Sequence, residues 1–407
     1  MRSVVILGST GSIGENTLKV AEALPHAVRV VGLATHTKVK RVIEQALQFG
    51  VKVVAVGSRT AAAEAEALAR PHGIQVWGGA EGVTALAGLA VADTVLCALV
   101  GLSGLQPVLT ALEAGKDVAL ATKEVLVAAG ELVMRRRAEA GVRLLPVDSE
   151  HSALFQCLQS SAFSPACVRT HDNEPAAEER VACLTLTASG GPFAAQREVD
   201  FERVTPEQAL DHPCWNMGRK VTIDSATMMN KGLEIMEAQW LFNMPATRVG
   251  VVVHPESIVH SLVTFVDGTQ LAQLSVPDMR FPIQYALTWP DRLAVAMPPL
   301  DLVSQGRLTF EAPDESRFPC LRLAREAAAI GGTLPAVLNA ADEVAVEAFL
   351  ADQFQPRLRD PIPVDFQGGG RFKGPEGVLA LVGAALSVAL VLRPGLPVPG
   401  FLPGVVA

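Results

Sequence analysis

Short apolar runs alternate with longer stretches of helical periodicity over the first third of the chain. Six of these runs predict strands, at residues 4–7, 28–33, 53–56, 94–98, 118–121 and 143–147. Strands that alternate with helices are typical of βαβ units and a parallel sheet. The pattern therefore predicts an α/β fold, with a doubly wound parallel sheet in a first domain at residues 1–149.

The pattern changes after residue 150. Longer apolar runs at 182–188, 250–253 and 261–266, separated by glycine-rich and proline-rich loops, predict an α+β domain at 150–290. Prolines indicate a connector at 291–312, and helical spacing of apolar residues predicts a small C-terminal helical domain at 313–352. Several domains are expected, because one core rarely exceeds roughly 250 to 300 residues.

The last residues, 353–407, form an atypical tail rich in proline, glycine and apolar residues. Its apolar stretch at 378–392 has about 15 residues, whereas a helix needs roughly 20 to span a bilayer. We expect a buried or poorly ordered helix there rather than a membrane anchor.

Composition narrows the class of protein. With 49% hydrophobic and 19% charged residues the chain is a folded protein, and its net charge of -8 argues against a nucleic-acid partner. The six cysteines include no CxxC pair, which excludes a zinc-finger framework or a dithiol motif. Reduced thiols and an amino terminus that runs directly into a strand favour a cytoplasmic protein.

A glycine-rich segment, GSTGSIG at residues 8–14, follows the first predicted strand and opens a helix. Glycines let the backbone approach a pyrophosphate, and the helix N–H groups point at it, so the segment predicts a dinucleotide site; a mere tight turn is the alternative. The second strand is followed by Thr35, His36 and Lys38, where an NAD site has an acid. NADP is therefore favoured, and a basic solvated helix start is the alternative.

Two acids, Asp148 and Glu150, flank Ser149 after the sixth predicted strand, at the sheet edge where ligands bind in such folds. In extended chain this spacing puts both carboxylates on one side. Oxygen ligands suit Mg²⁺ or Mn²⁺, and Glu234 is a candidate third ligand. A surface acidic turn is the alternative.

The densest group of polar residues lies at 212–234. Ser225 and Thr227 are expected to cap a helix, and Ser225, Asn230 and Lys231 to gather around a phosphate. An ordinary capped helix with an exposed ion pair is the alternative. The glycine turn at 187–193 presents Ser189 to an anion, or is only a turn. His254 and His260 are expected to be structural.

Six motifs, in this order, resemble one family. They are GSTGSIG at 8–14, ATKE at 121–124, VDSEHSA at 147–153, ASGGPF at 188–193, HPCWNMGRK at 212–220 and DSATMMNKGLE at 224–234. Together they resemble the 1-deoxy-D-xylulose 5-phosphate reductoisomerases, which make 2-C-methyl-D-erythritol 4-phosphate in the non-mevalonate isoprenoid pathway. The resemblance runs to about residue 350.

The resemblance implies a role for each matching residue. The cofactor contacts are Thr10, Gly11, Ser12, Ile13, Thr122, Glu124 and Gly218, beside the Thr35, His36 and Lys38 named above. The metal ligands are Asp148, Glu150 and Glu234. The substrate contacts are Lys123, Ser149, Glu150, Ser189, His212, Ser225, Asn230, Lys231 and Glu234. The catalytic group is Lys123, Asp148, Glu150, His212 and Glu234, and Trp215 and Met217 form a mobile flap.

The implied reaction is a metal-assisted rearrangement of a sugar phosphate to an aldehyde, which NADPH then reduces. A homodimer is also expected by resemblance alone. Thr122 and Val125 depart from the residues that the family usually has at these positions. The tail replaces the expected charged helices, and a frameshift or a divergent end explains it equally.

Three other readings compete. An NADP-dependent dehydrogenase of the semialdehyde class shares the glycine-rich start, but it requires an activated cysteine. A non-catalytic NADP sensor requires no convergent carboxylates. A membrane-associated protein is the third, and it would sediment with lipid.

Overall fold

The computed structural model describes residues 1–159, 165–168, 179–196, 198–294 and 297–351. The chain forms two compact units. Within these described residues, the first consists of Met1–Ser189 and Leu233–Pro313, and the second of Gly190–Gly232 and residues 314–351. The atypical tail predicted at 353–407 lies outside the described residues, and the predicted domain borders stay predictions.

The first unit contains a seven-stranded parallel sheet. Its strands are β1 (Arg2–Leu7), β2 (Val28–Thr35), β3 (Val53–Val56), β4 (Gln75–Gly78), β5 (Thr94–Cys97), β6 (Asp117–Leu120) and β7 (Leu144–Pro146). Their order is β4-β3-β2-β1-β5-β6-β7, so the direction of winding reverses at β1. This topology confirms the doubly wound α/β fold, whose ligand crevice opens where the order reverses.

The segments that connect these strands form helices, because their apolar residues recur at helical spacing. The helices are α1 (Ser12–Ala23), α2 (Val39–Phe49), α3 (Arg59–Ala69), α4 (Gly79–Ala87), α5 (Leu105–Glu113) and α6 (Glu124–Ala140). In α2 the buried residues include Val39, Val42, Ile43 and Ala46, one stripe along the helix.

The prediction of six strands was wrong by one, because β4 was missed. Its residues include only two apolar side chains, Val76 and Trp77, and both are partly exposed. β4 pairs with β3 alone, at the edge of the sheet. An edge strand buries little apolar surface, so its hydrophobic signal in the sequence is weak.

A second sheet of the first unit has four strands: β8 (Val181–Ala188), β9 (Val249–Val253), β10 (Val259–Phe265) and β11 (Gln270–Leu274). Their order is β11-β10-β8-β9, with β8 and β9 parallel and the other pairs antiparallel. The mixed sheet confirms the predicted α+β region, although β11 was missed. Helix α7 (Ser149–Leu158) packs against β10 and β11.

Helix α6 meets a later helix, α10 (Met229–Phe242), at a position without a side chain. A Cβ at Gly130 would overlap the indole ring of Trp240. The helix is kinked beside this position, because Ala129 has φ -142° and ψ 29°. The indole therefore lies directly on the backbone of α6.

The remaining helices complete the two units. They are α8 (Pro206–Leu210), α9 (Arg219–Thr227), α11 (Arg280–Thr288), α12 (Leu302–Gln305), α13 (Pro319–Ile330) and α14 (Leu334–Leu350). The pair α13 and α14 confirms the helical region predicted near the end of the chain. In the second unit, Lys220 on α9 is 2.7 Å from both Asp224 and Asp342, which ties α9 to α14.

Within the described ranges, no helix combines the length and the apolar character that crossing a bilayer requires.

Candidate active site

The glycine turn lies between β1 and α1, where the winding order reverses. Gly8 has φ +87°, which favours glycine, and a Cβ at Gly14 would overlap the carbonyl oxygen of Gly8. Gly11 is the N-cap of α1, and no side chain at that position caps the first N–H groups of the helix. The turn has the shape of an anion site at a helix start.

Residues at the end of β2 and just after it lie beside this turn. The hydroxyl oxygens of Thr10 and Thr35 are 2.7 Å apart, and Lys38 Nζ donates to the carbonyl oxygen of Thr10 at 3.2 Å. Arg41 is engaged elsewhere, because it pairs with both carboxylate oxygens of Glu15 at 2.7 Å. Lys38 is thus the cation that contacts the turn itself.

Thr122 in the ATKE motif and Val125 just after it, the two residues that depart from the family's usual ones, are both buried at the start of α6. Thr122 is buried, and its hydroxyl donates to the carbonyl oxygen of Leu99 at 2.6 Å. Val125 is fully buried in the core. Thr122 therefore holds the loop after β5, and its contact with a cofactor stays a prediction.

The two acids after the parallel sheet lie at a helix start. Asp148 is the N-cap of α7, and its Oδ1 accepts from the backbone N–H of Ser149 at 2.9 Å. The expectation of extended chain was wrong, because the cap begins a helix and places Glu150 in its first turn. Asp148, Glu150 and Glu234 each offer a carboxylate oxygen, all within 4.8 Å of one another.

Lys123 joins this three-acid group (Asp148, Glu150 and Glu234). Its Nζ contacts the carboxylate of Asp148 and is 3.0 Å from Glu234 Oε1. Burial works to lower the pKa of Lys123, but the carboxylates of Asp148 and Glu234 hold this pKa well above its ordinary value. The ammonium group therefore stays charged.

Two buried residues, His151 and Glu237, lie next to the three-acid group. His151 Nε2 is 2.9 Å from the carbonyl oxygen of Glu234, and its Nδ1 is 3.3 Å from Glu237 Oε2. Burial lowers the pKa of His151 to about 4, while burial and then the charge of Asp148 raise the pKa of Glu237 well above its usual value. A carbonyl can only accept, so neutral His151 donates from Nε2 to the carbonyl oxygen of Glu234. Nδ1 lies near the carboxylate of Glu237 but forms no hydrogen bond with it.

Sequence reasoning missed this pair. Glu237 is three residues from Glu234 on α10, a spacing that places both on one helix face and could have revealed it. Asp148, His151 and Glu237 also converge as possible metal ligands. The three-acid group is the better site for a hard cation, because all its donors are oxygens and it is less deeply buried.

Other predicted residues lie in the second unit. His212 Nδ1 accepts from the backbone N–H groups of Cys214 and Trp215, at 3.2 and 2.9 Å. Burial and the charge of Lys231 lower the pKa of His212, which favours the neutral ring with its proton on Nε2. Gly218 is the N-cap of α9.

Of the two residues expected to cap a helix, Thr227 does so and Ser225 does not. Thr227 Oγ1 accepts from the backbone N–H of Met229 at 3.3 Å, where α10 begins. Ser225 lies inside α9, so its predicted capping role was wrong. Asn230 and Lys231 occupy the first turn of α10, and Ser189 follows β8 directly.

The two structural histidines are satisfied by the fold, as predicted. His254 Nδ1 is 2.7 Å from the carbonyl oxygen of Thr309, and Nε2 accepts from two backbone N–H groups at 3.1 Å. His260 Nε2 is 2.9 Å from Ser275 Oγ.

Comparison with known proteins shows which family this chain resembles. Three family models match: 1-deoxy-D-xylulose 5-phosphate reductoisomerase at residues 4–130, its C-terminal domain at 144–242, and the DXP reductoisomerase C-terminal domain at 274–356. The 1-deoxy-D-xylulose 5-phosphate reductoisomerase of Chlorobium chlorochromatii is 51% identical over 350 residues, which cover 86% of this chain and 88% of the relative. That of Thermodesulfovibrio yellowstonii is 47% identical over 355 residues, covering 87% and 89%.

Solved structures agree as well. A DOX-P reductoisomerase in complex with NADPH, fosmidomycin and magnesium is 38% identical, with a TM-score of 0.83, and the match covers 97% of this chain and 100% of that one. The enzyme of Zymomonas mobilis in complex with NADPH is 37% identical, with a TM-score of 0.77, covering 96% and 98%. By sequence and by fold, this chain belongs to the 1-deoxy-D-xylulose 5-phosphate reductoisomerase family.

Proposed function

We propose that the chain uses NADPH and a divalent metal to convert 1-deoxy-D-xylulose 5-phosphate to 2-C-methyl-D-erythritol 4-phosphate. The observation that carries the proposal is the convergence of Asp148, Glu150 and Glu234 in the same unit as the glycine turn. Family membership names the reaction, and the three acids supply a site for the metal it uses.

The residues present fit a hard divalent cation. Three carboxylate oxygens within 4.8 Å of one another form an all-oxygen donor set, which suits Mg²⁺ or Mn²⁺. When bound, such an ion supplies Lewis-acid polarisation of the substrate's carbonyl and hydroxyl oxygens. The Ser149 hydroxyl donates to Glu150 Oε2, which orients that carboxylate.

For the substrate phosphate we propose four contacts on the basis of the family motifs. They are Ser189, Ser225, Asn230 and Lys231. His212 contributes an N–H donor from Nε2, because its Nδ1 is engaged by backbone N–H groups. Trp215 and Met217 are proposed to close over the ligand and to exclude water from the aldehyde stage.

For the cofactor we propose Thr10, Gly11, Ser12 and Ile13 at the pyrophosphate, and Thr35, His36 and Lys38 near the 2′-phosphate. The contact of Lys38 with Thr10 supports this assignment, because it places a cation at the turn. Thr122, Glu124 and Gly218 complete the proposed cofactor set.

The test is NADPH oxidation with 1-deoxy-D-xylulose 5-phosphate, with and without Mn²⁺, in the wild type and in Asp148→Asn. We expect oxidation only with metal, and a loss of at least a hundredfold in the variant. Asp267→Asn is the matched control, because Asp267 is an acid of an exposed turn. Equal rates after chelation would defeat the proposed chemistry.

Among the alternatives, the semialdehyde class has little support. Burial raises the pKa of Cys97 and Cys157 to about 11 and that of Cys167 to about 12, so these thiols are not activated. A non-catalytic sensor would bind NADPH without oxidising it in the same assay.

We also propose a homodimer in the cytoplasm. The edge strand β11 presents Gln270, Leu271 and Ala272 to solvent, and Leu271 is 41% exposed. An apolar edge of this kind favours pairing with a second copy.

All six cysteines are free thiols, which suits a reducing compartment.

A further inference from the structure

Lys123 shares its anionic partners with the proposed metal. Its buried ammonium contacts the carboxylate of Asp148 and is 3.0 Å from Glu234 Oε1. Both acids belong to the three-acid group. A divalent cation held by that group therefore lies within a few ångströms of another positive charge.

The charges of the three-acid group and Lys123 indicate how the ammonium affects the binding of a divalent cation. Three carboxylates carry three negative charges, and the ammonium offsets one of them, which leaves two for a divalent cation. Because Lys123 and Glu234 are buried and the other two acids are partly buried, solvent screens these charges weakly. The ammonium then repels a divalent cation and competes with it for two of its three ligands.

We propose that Lys123 sets the metal affinity of the site, holding it weaker than three carboxylates alone would give. This inference rests on the proposed metal site and adds a role for Lys123 that is separate from any contact with substrate. The ammonium keeps Asp148 and Glu234 close together and limits how tightly the metal binds, so the metal exchanges readily.

The test is a calorimetric titration of the full chain with Mn²⁺ at pH 8, where the carboxylates are ionised. Lys123→Met removes the charge and keeps most of the side-chain length. We expect it to bind Mn²⁺ at least tenfold more tightly than the wild type, about 1.4 kcal/mol. Lys123→Gln is a second neutral variant that keeps a polar end, should the first fail to fold.

Two controls separate the local charge from other effects. Lys123→Arg keeps the charge, and Lys19→Met removes a charge from a solvent-facing helix position. Both should bind Mn²⁺ within about twofold of the wild type. Glu234→Gln should lose most binding, which identifies the site that the titration reports.

A second readout does not depend on metal affinity. In chelator, both neutral variants should melt several degrees below the wild type, because the carboxylates lose their counter-charge, and Mn²⁺ should raise their melting temperature more. Unchanged or weaker Mn²⁺ binding in both neutral variants overturns the role of Lys123 and leaves the proposed function standing. A wild type that binds no Mn²⁺ overturns both.

Discussion

At the scale of single residues, sequence patterns predict some acids of the active site and not others. Asp148 and Glu150 are adjacent to a predicted strand, and the family motif points to Glu234. Glu237 lies on the same helix face as Glu234, but no motif points to it, and its role depends on burial against His151. Burial of an acid is a tertiary property, so only the folded chain reveals it.

Glu237→Gln should change stability in a pH-dependent way. The folded-state pKa of Glu237 is raised above its ordinary value of 4.5, so only the unfolded chain ionises between those two pKa values. Its stabilising effect is therefore present at low pH and is lost as the pH rises through that window. At pH 7.5 the variant should therefore gain free energy of unfolding relative to the wild type, and at pH 4.5 this gain should be much smaller.

Urea denaturation in chelator at both pH values measures this difference. Glu347→Gln is the control, because Glu347 is exposed on α14. A gain in the free energy of unfolding of the same size at both pH values would show that Glu237 is ionised in the folded chain.

Gly14→Ala should damage the glycine turn. The added Cβ would overlap the carbonyl oxygen of Gly8, and such overpacking costs about 1 to 3 kcal/mol. Fluorescence titration should show NADPH binding weakened at least tenfold. Gly250→Ala is the control, because its Cβ would find only ordinary contacts beyond 3.5 Å. Wild-type NADPH affinity in Gly14→Ala would contradict the cofactor assignment.

At the scale of elements, strands made of buried apolar residues were predicted well, including the edge strands β7 and β9, whereas two edge strands with polar or exposed residues were missed. β3 matches its predicted range of 53–56, because all four of its residues are apolar and buried. β4 and β11 were missed, because each lies at a sheet edge where polar or exposed residues interrupt the pattern. Local periodicity reports burial, so an element that buries little is hard to predict.

Leu271→Lys tests whether β11 forms the dimer interface. A charge on an edge strand disfavours pairing between sheets, so we expect a dimeric wild type and a largely monomeric variant. Sedimentation velocity gives the masses. Val303→Lys is the control, because Val303 is 90% exposed on α12. A variant that stays fully dimeric would place the interface elsewhere.

At the scale of the whole molecule, the order of motifs indicated the family, while the convergence of the acids needed the fold. Asp148 and Glu234 are far apart in sequence, and no local pattern predicts their distance. The helical pair α13 and α14 was expected, and it ends at Leu350, near where the resemblance to the family ends.

Deletion of residues 353–407 tests the role of the tail. We expect the shortened chain to oxidise NADPH at a rate within about twofold of the full chain, because the acids, the glycine turn and the family motifs all precede it. Its melting temperature should fall by a few degrees if the tail packs on the fold. Loss of turnover in a folded, shortened chain would contradict this expectation.

The contact between Gly130 and Trp240 has an evolutionary consequence. With the indole ring against bare backbone, position 130 accepts no side chain while position 240 remains tryptophan. A smaller residue at 240 must therefore arise before, or together with, any replacement at 130. Because α6 begins beside Lys123 and α10 carries Glu234, either step taken alone would disturb the separation of two oppositely charged groups of the active site.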